Sequence, residues 1–336
     1  MRLSRLLCLA LCWAAAAGGA TAKTLHFLVL PDAAGGEEAD ALHAGMLKAV
    51  RTLGQAKTPV DIVLEWAPPA GADAAAQAAA VQAAAAASPR PDGLIVSPRD
   101  PEKLRAAIEG TAQSGIPVVV VETPLSSPLI TAYVGSNHYQ AGQAAANLLC
   151  KLMRERGGVL IVGDPAASFS VSQLEKGFIQ GLFSYPNVQP VFSGDYGAAL
   201  PVVAPKAVEG ILRRQGARVA GVLVTDPDAY DATRDALQQA GLRVPLVVCG
   251  QRRAFIDALR QGEIAGIVAE TPFEIGNRAV EVLADSLSGK QVLMRNTILG
   301  VAITSEKLDE PAVQAFLRPP VGEYLSPEPA SGGLLR

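Results

Sequence analysis

From residue 24 onward the chain alternates between two textures. Short, almost wholly apolar runs (Thr24–Pro31, Pro59–Trp66, Asp92–Ser97, Ile116–Glu122 and Ile130–Gly135) are separated by longer stretches. In those stretches (Glu37–Gly54 and Pro101–Ser114) apolar residues recur at three- and four-residue spacing. The short runs predict buried strands and the long ones helices. Ala72–Ala87, almost pure alanine, predicts a helix by propensity rather than by periodicity. The alternation then begins again. Helices are predicted at His138–Arg156, Val171–Ser184, Val203–Gln215, Asp228–Ala240, Ala254–Gln261 and Phe273–Ser288. Between them lie strands at Val159–Gly163, Val188–Ser193, Val219–Thr225, Val244–Cys249 and Ile264–Ala269, with a last strand at Thr297–Thr304.

Strands alternating with helices of this length specify parallel sheets covered on both faces. Two successive sets predict two doubly wound α/β lobes. Ligands of such sheets bind beyond the carboxyl ends of the strands, where side chains and helix N-termini converge. The run DGLIVSPRDPEKLRAAIEGTAQSGIPVVVVET, residues 92–123, ends its two strands in Ser97-Pro98 and Glu122-Thr123. Those ends should line a crevice.

The mean hydropathy of +0.25 is high for such a fold. The N-terminus accounts for part of it: Arg2 and Arg5 precede the apolar run Leu6–Ala17, followed by Gly18-Gly19-Ala20-Thr21-Ala22. That is the order of a cleavable secretory signal peptide, residues 1–22, with cleavage after Ala22. Cys12 follows the bulky Leu11 and Cys8 follows only two apolar residues, so lipid anchoring is not expected. No later stretch has the ~18–20 unbroken apolar residues of a membrane span, so the mature chain is not expected to be membrane-embedded. Twenty-nine Lys and Arg against thirty-two Asp and Glu give a net charge of −3, which removes the motive for nucleic-acid binding.

Chemistry-bearing motifs are scarce. No G-x-G-x-x-G follows the first strand, and G-x-S-x-G and H-E-x-x-H do not occur. Gly289-Lys290 lacks the upstream glycine loop of a phosphate site. His26, His43 and His138 are scattered and read as ordinary surface or core residues. Cys150 and Cys249 fit no metal or redox spacing and read as buried thiols on a helix and a strand, with one disulfide as the alternative. No catalytic residue, cofactor or metal is expected, and the chain does not read as an enzyme.

The ordered series of motifs resembles the type I periplasmic solute-binding proteins of the ribose-binding kind. Residues 92–123 resemble the family's third and fourth strands, and Tyr133–Asn137 with Gln140-Ala141-Gly142 resembles its first crossover between lobes. Glu175-Lys176-Gly177-Phe178 resembles the R-x-x-G-F helix, and Val268–Pro272 with Ile275-Gly276 resembles the return crossing. The same lobes occur in LacI-type repressors, but here a leader stands where DNA-binding helices would.

The resemblance implies three crossings, near Ser136, Glu270 and Gly300. The N-terminal lobe would be 24–135 plus 271–299 and the C-terminal lobe 136–270 plus 300–316, with a tail at 317–336 that reads as disordered or wrapping. A small-molecule ligand would be gripped by hinge closure. Asp32, Ser97, Glu122, Thr123 and Asn137 would face Ala166–Ser172 (Ser172 above all), Tyr196, Thr225-Asp226, Gln251, Arg252 and Glu270. The residues that grip sugars in the family are largely replaced: Glu122-Thr123 stands for an Asp-Arg pair, Gln251 for an Asp and Glu270 for a Gln. A carboxylate-rich cleft suits hydroxyl or amine donors, hence a sugar-like solute, polyol, alcohol or small cation rather than an organic acid. The implied partner is the permease of an ABC importer or, alternatively, a membrane sensor kinase; a secreted enzyme on the same lobes is the remote reading. A periplasmic monomer is expected.

Intact-mass measurement on the exported protein is predicted to give a chain starting at Lys23 with no lipid. A species retaining Cys12 with a diacylglycerol adduct would refute the leader assignment.

Overall fold

The computed structural model describes residues 24–69, 73–163, 169–191 and 202–326. The leader, Tyr196, residues 166–168 and the end of the tail lie outside them. In chain order the first half runs β1 (Leu25–Leu30), α1 (Glu37–Gly54), β2 (Ile62–Trp66), α2 (Ala74–Ala86), β3 (Gly93–Val96), α3 (Pro101–Gln113), β4 (Val118–Val121), β5 (Ala132–Ser136). It continues α4 (His138–Leu152), β6 (Gly157–Val162), α5 (Phe169–Leu182), β7 (Val188–Pro190), β8 (Val202–Val203), α6 (Val208–Gln215), β9 (Val219–Val224), α7 (Tyr230–Gln239). The remainder is β10 (Leu246–Cys249), α8 (Arg253–Gln261), β11 (Gly266–Ala269), α9 (Pro272–Leu287), β12 (Arg295–Ile298), β13 (Val301–Ile303), α10 (Pro311–Leu317) and α11 (Val321–Leu325).

Two sheets result. The first has the order β12-β5-β4-β3-β1-β2, and the second β13-β11-β10-β9-β6-β7 with β8 also on β6. Every pairing is parallel except β11 with β13. The central strands β3 and β4 are buried on both faces, as a run without polar alternation requires. Leu94, Val96, Val118 and Val120 point into a core shared with α2 and α3. Ile95, Val119 and Val121, on the opposite face, join one with α1 and α9. The second sheet is covered likewise, by α4 and α5 on one face and by α6, α7, α8 and α10 on the other.

Two departures from the sequence reading have clear causes. Thr297–Thr304, read as one strand, is two. β12 extends the first sheet, and the chain turns at Leu299-Gly300 so that β13 runs antiparallel in the second. Residues 298–303 run Ile-Leu-Gly-Val-Ala-Ile, with no charged or strongly polar side chain at the break, so hydropathy carries no sign of it. Val203, read as the start of a helix, instead ends a short strand, Val202–Val203, on β6. Its two β-branched residues stiffen χ1 and favour the pleat. Cys150 on α4 and Cys249 on β10 are free and buried.

The helix pairs α1–α9 and α4–α5 pack at glycines. A Cβ on Gly276 would lie 2.0 Å from the Leu42 carbonyl oxygen, and one on Gly177 would lie 1.9 Å from that of Tyr139. Neither backbone can yield without separating its helices. Gly276→Ala and Gly177→Ala are each predicted to destabilise the chain by about 1–3 kcal/mol. Gly110→Ala on α3, where a Cβ meets nothing within 4 Å, should stabilise by about 0.5–1 kcal/mol. Urea unfolding monitored by circular dichroism measures all three; equal effects would show that the close approaches are not real.

Candidate functional site

The carboxyl ends of β1, β3 and β4 carry Asp32, Ser97 and Glu122, and those of β9, β10 and β11 carry Thr225-Asp226, Gln251 and Glu270. Glu122 sits at the centre. Its Oε2 accepts the Ser97 hydroxyl at 2.6 Å, and its backbone carbonyl accepts the Tyr133 hydroxyl at 2.8 Å. Its φ of 61° is left-handed, a conformation that costs a non-glycine residue about 1–2 kcal/mol. The contacts from Ser97 and Tyr133 hold it there. Burial pushes the Glu122 carboxyl from 4.5 to about 7; the Ser97 bond and His138 act against this, while Asp32 and Glu38 reinforce it.

The wall beside Glu122 comes from the crossings. His138, first residue of α4, places its Nδ1 2.8 Å from Glu270 Oε1 and 3.0 Å from Oε2. The exposed ring of Phe169, at the start of α5, meets His138 edge-on at 6.4 Å between centroids. Facing these, at the start of α1, the Glu38 carboxyl is raised by desolvation, opposed by Arg252 and reinforced by Asp32, Glu270 and Asp228. The electrostatics of the two sheets are therefore joined: Glu38 belongs to helices on the first, Arg252 and Asp228 to loops on the second. Arg252 itself pairs with Asp228 at 2.6 Å.

Each remaining candidate has a definite place. Asp32 accepts an Arg99 side-chain N–H on its backbone carbonyl, and Thr123 is half-buried next to Glu122. Asn137 caps α4 through the Gln140 amide at 3.1 Å. Asp226 accepts the Asp228 amide at 3.0 Å, and Ser172 is half-buried in the first turns of α5. Thr225 donates its hydroxyl to the wholly buried Glu175 at 2.8 Å. Gln251 does not turn to the crevice with its amide: Nε2 donates to the carbonyls of Phe316 and Leu317, at 2.9 and 3.2 Å. Tyr196 lies outside the described residues.

Sequence reasoning passed over His138, Glu38 and Gln77, and reached Phe169 only as part of the segment Ala166–Ser172. Gln77 is wholly buried on α2. It donates to the carbonyls of Pro31 (3.1 Å) and Ser97 (2.7 Å) and accepts the Arg99 amide (3.0 Å). It thus fastens two crevice loops to one helix. The available signal was a glutamine four residues before the apolar Val81 in a run of alanines, hence on the same buried face. Among the described residues no group of three or more His, Cys, Asp or Glu could hold a metal ion, and no helix is long and apolar enough to cross a membrane.

Comparison with known proteins agrees with this fold. A family profile described as a periplasmic binding protein domain matches residues 27–291. The xylitol-binding protein of Mycolicibacterium smegmatis is 23% identical over 225 residues, 65% of this chain and 62% of that protein. The ribose import binding protein RbsB of Salmonella typhimurium is 23% identical over 206 residues, 59% of this chain and 67% of that one. The match with the xylitol binder thus spans less than two thirds of its length. AraP, an arabinose binding protein from Geobacillus stearothermophilus, superposes with a TM-score of 0.71 at 19% identity, covering 85% of this chain and 99% of its own. An ABC transporter solute binding protein from Agrobacterium vitis bound with alpha-D-tagatopyranose gives 0.67 at 21%, covering 87% and 98%.

The raised carboxyl of Glu122 has a consequence for stability. Between pH 4.5 and about 7 the folded chain keeps a proton on Glu122 that the unfolded chain has released. The corresponding stabilisation is full below pH 4.5 and is lost as pH rises through 7. Glu122→Gln keeps the Ser97 bond without the charge, so its melting temperature is predicted to gain on the parent's as pH rises from 5 to about 7 and to keep a constant lead above that. Differential scanning fluorimetry checks this; a difference independent of pH would refute it.

Proposed function

Because the chain belongs to the periplasmic binding protein domain family, we propose that it is a solute receptor that closes two lobes on a small polyol or sugar-like molecule and presents the closed form to the permease of an ABC importer. The observation that carries the reading is the acceptor-rich crevice around Glu122, between the carboxyl ends of two sheets. A linear polyol offers a row of hydroxyl donors to such acceptors and needs no pair of aromatic faces to hold a ring. The likeness to a xylitol binder and to a ribose binder supports this ligand class. We take the lobes as 24–135 plus 271–299 and 136–270 plus 300–316, joined near Ser136, Glu270 and Gly300. Closure is then a rotation about three thin strands of chain.

The energetics suffice without any chemistry on the ligand. A micromolar ligand contributes about 8 kcal/mol in total, and moving a mostly open population to mostly closed takes about 5.5 kcal/mol of differential affinity. Glu122 on one side and Glu270 at the crossing supply contacts that a ligand completes only when the cleft is shut. The related proteins bind solutes and are not enzymes, and the ligand should be recovered unchanged.

Thermal-shift and calorimetric titration with xylitol, D-ribose, D-arabinose and putrescine tests the reading. Xylitol is predicted to raise the melting temperature most. Glu122→Ala and Glu270→Gln should each weaken its binding by about 1–3 kcal/mol, the cost of leaving a buried polar partner unsatisfied. A shift with putrescine alone would refute the polyol assignment, and full affinity in both variants would move the site elsewhere.

A further inference from the structure

The end of the chain makes a connection that three crossings do not require. α10 is part of the second sheet's cover, with Val313 and Leu317 buried in the core that holds Leu246 and Val248. Gln251, just beyond β10, grips the last two carbonyls of that helix, those of Phe316 and Leu317. Arg318-Pro319-Pro320 then carries the chain across, and α11 packs on α1, which covers the first sheet. There Arg51 pairs with Glu323 at 2.8 Å, and its guanidinium lies 4.6 Å from the centre of the Tyr324 ring. Tyr324 in turn lies 6.0 Å, ring to ring, from Phe273 at the start of α9. The whole segment follows the residues matched by the family profile, which end at 291.

We propose that residues 311–326 are a strap that ties the two lobes together outside the hinge and limits how far the ligand-free cleft opens, with Gln251 as the positioning residue that fixes its second-lobe end. Three features favour a strap over a loose tail. The crossing is made by two adjacent prolines, whose fixed φ makes it stiff. Both ends are anchored, one in a core and the other by an ion pair stacked on an aromatic ring. Finally, the side chain at 251 is an amide whose nitrogen donates to both carbonyls. Two carbonyls demand a donor, and a carboxylate has none to give. A cleft held short of full opening keeps more of its population near the binding-competent form, which raises apparent affinity in proportion.

The proposal rests on the reading that the lobes move, and its test separates the two. Nitroxide labels at Lys103→Cys on α3 and Asp231→Cys on α7, both exposed, report the distance across the cleft by pulsed electron resonance in ligand-free protein. A chain ending at Arg318 keeps α10 and its buried residues. It should show a shift to longer distances and a broader distribution, as should Gln251→Asp and Glu323→Arg in the full chain. Adding Arg51→Glu to Glu323→Arg restores the ion pair and should restore the parent distribution, a rescue that general destabilisation would not produce. A broad distribution in the parent that neither truncation nor Glu323→Arg widens overturns the strap and leaves hinge motion standing. A single narrow distribution in every form overturns both.

Discussion

A parallel sheet allows its strands only one direction, so each strand needs a return crossover before the next, usually through a covering helix. All carboxyl ends, and the N-termini of the helices that follow them, therefore gather along a single edge of the sheet. This chain builds two such sheets and passes between them at Ser136–His138, Ala269–Pro272 and Ile298–Val301. The gathered edges carry Ser97 and Glu122 on one side and Thr225, Gln251 and Glu270 on the other. The crevice is thus a by-product of strand direction.

Its chemistry is unusually acidic and is held in place by neutral donors. Glu122 is kept in a left-handed conformation by the Ser97 and Tyr133 hydroxyls, and its raised carboxyl reflects burial first and the neighbouring Asp32 and Glu38 second. An unpaired carboxylate is costly to desolvate, whereas a ligand hydroxyl or a retained proton offsets that cost. His138 and Glu270 meet where two crossings adjoin, so any rotation of the lobes is felt at the pair. Position and charge are coupled in a handful of side chains.

Tight helix packing supplies the rigidity this arrangement needs. Gly276 and Gly177 let helix backbones touch, so each sheet and its helices can move as one body rather than deform. The Gln77 side chain, three hydrogen bonds from a single buried amide, extends the same rigidity to the loops after β1 and β3. The segment from α10 to α11 reaches from the cover of the second sheet to that of the first.

The alternation of apolar runs with amphipathic stretches determined the two layered lobes, because burial on both faces of a sheet leaves a local, periodic trace. Strand ends could be read for the same reason, and with them the places of Ser97, Glu122 and Glu270 just beyond β3, β4 and β11. What the sequence could not carry were partnerships between distant segments. His138 and Glu270 are 132 residues apart, and Arg51 and Glu323 are 272 apart. His138 gave no local sign of its role, and Gln77 gave only its place on a buried face. Gln251 was read as facing the crevice by its position after β10, yet the carbonyls of a helix 65 residues further on took its amide. The division of residues 297–304 between two sheets was equally invisible, since residues 298–303 are apolar straight through the turn. Hydropathy records how deeply a residue is buried; only the tertiary structure decides beside whom, because that depends on topology and not on neighbours in the chain.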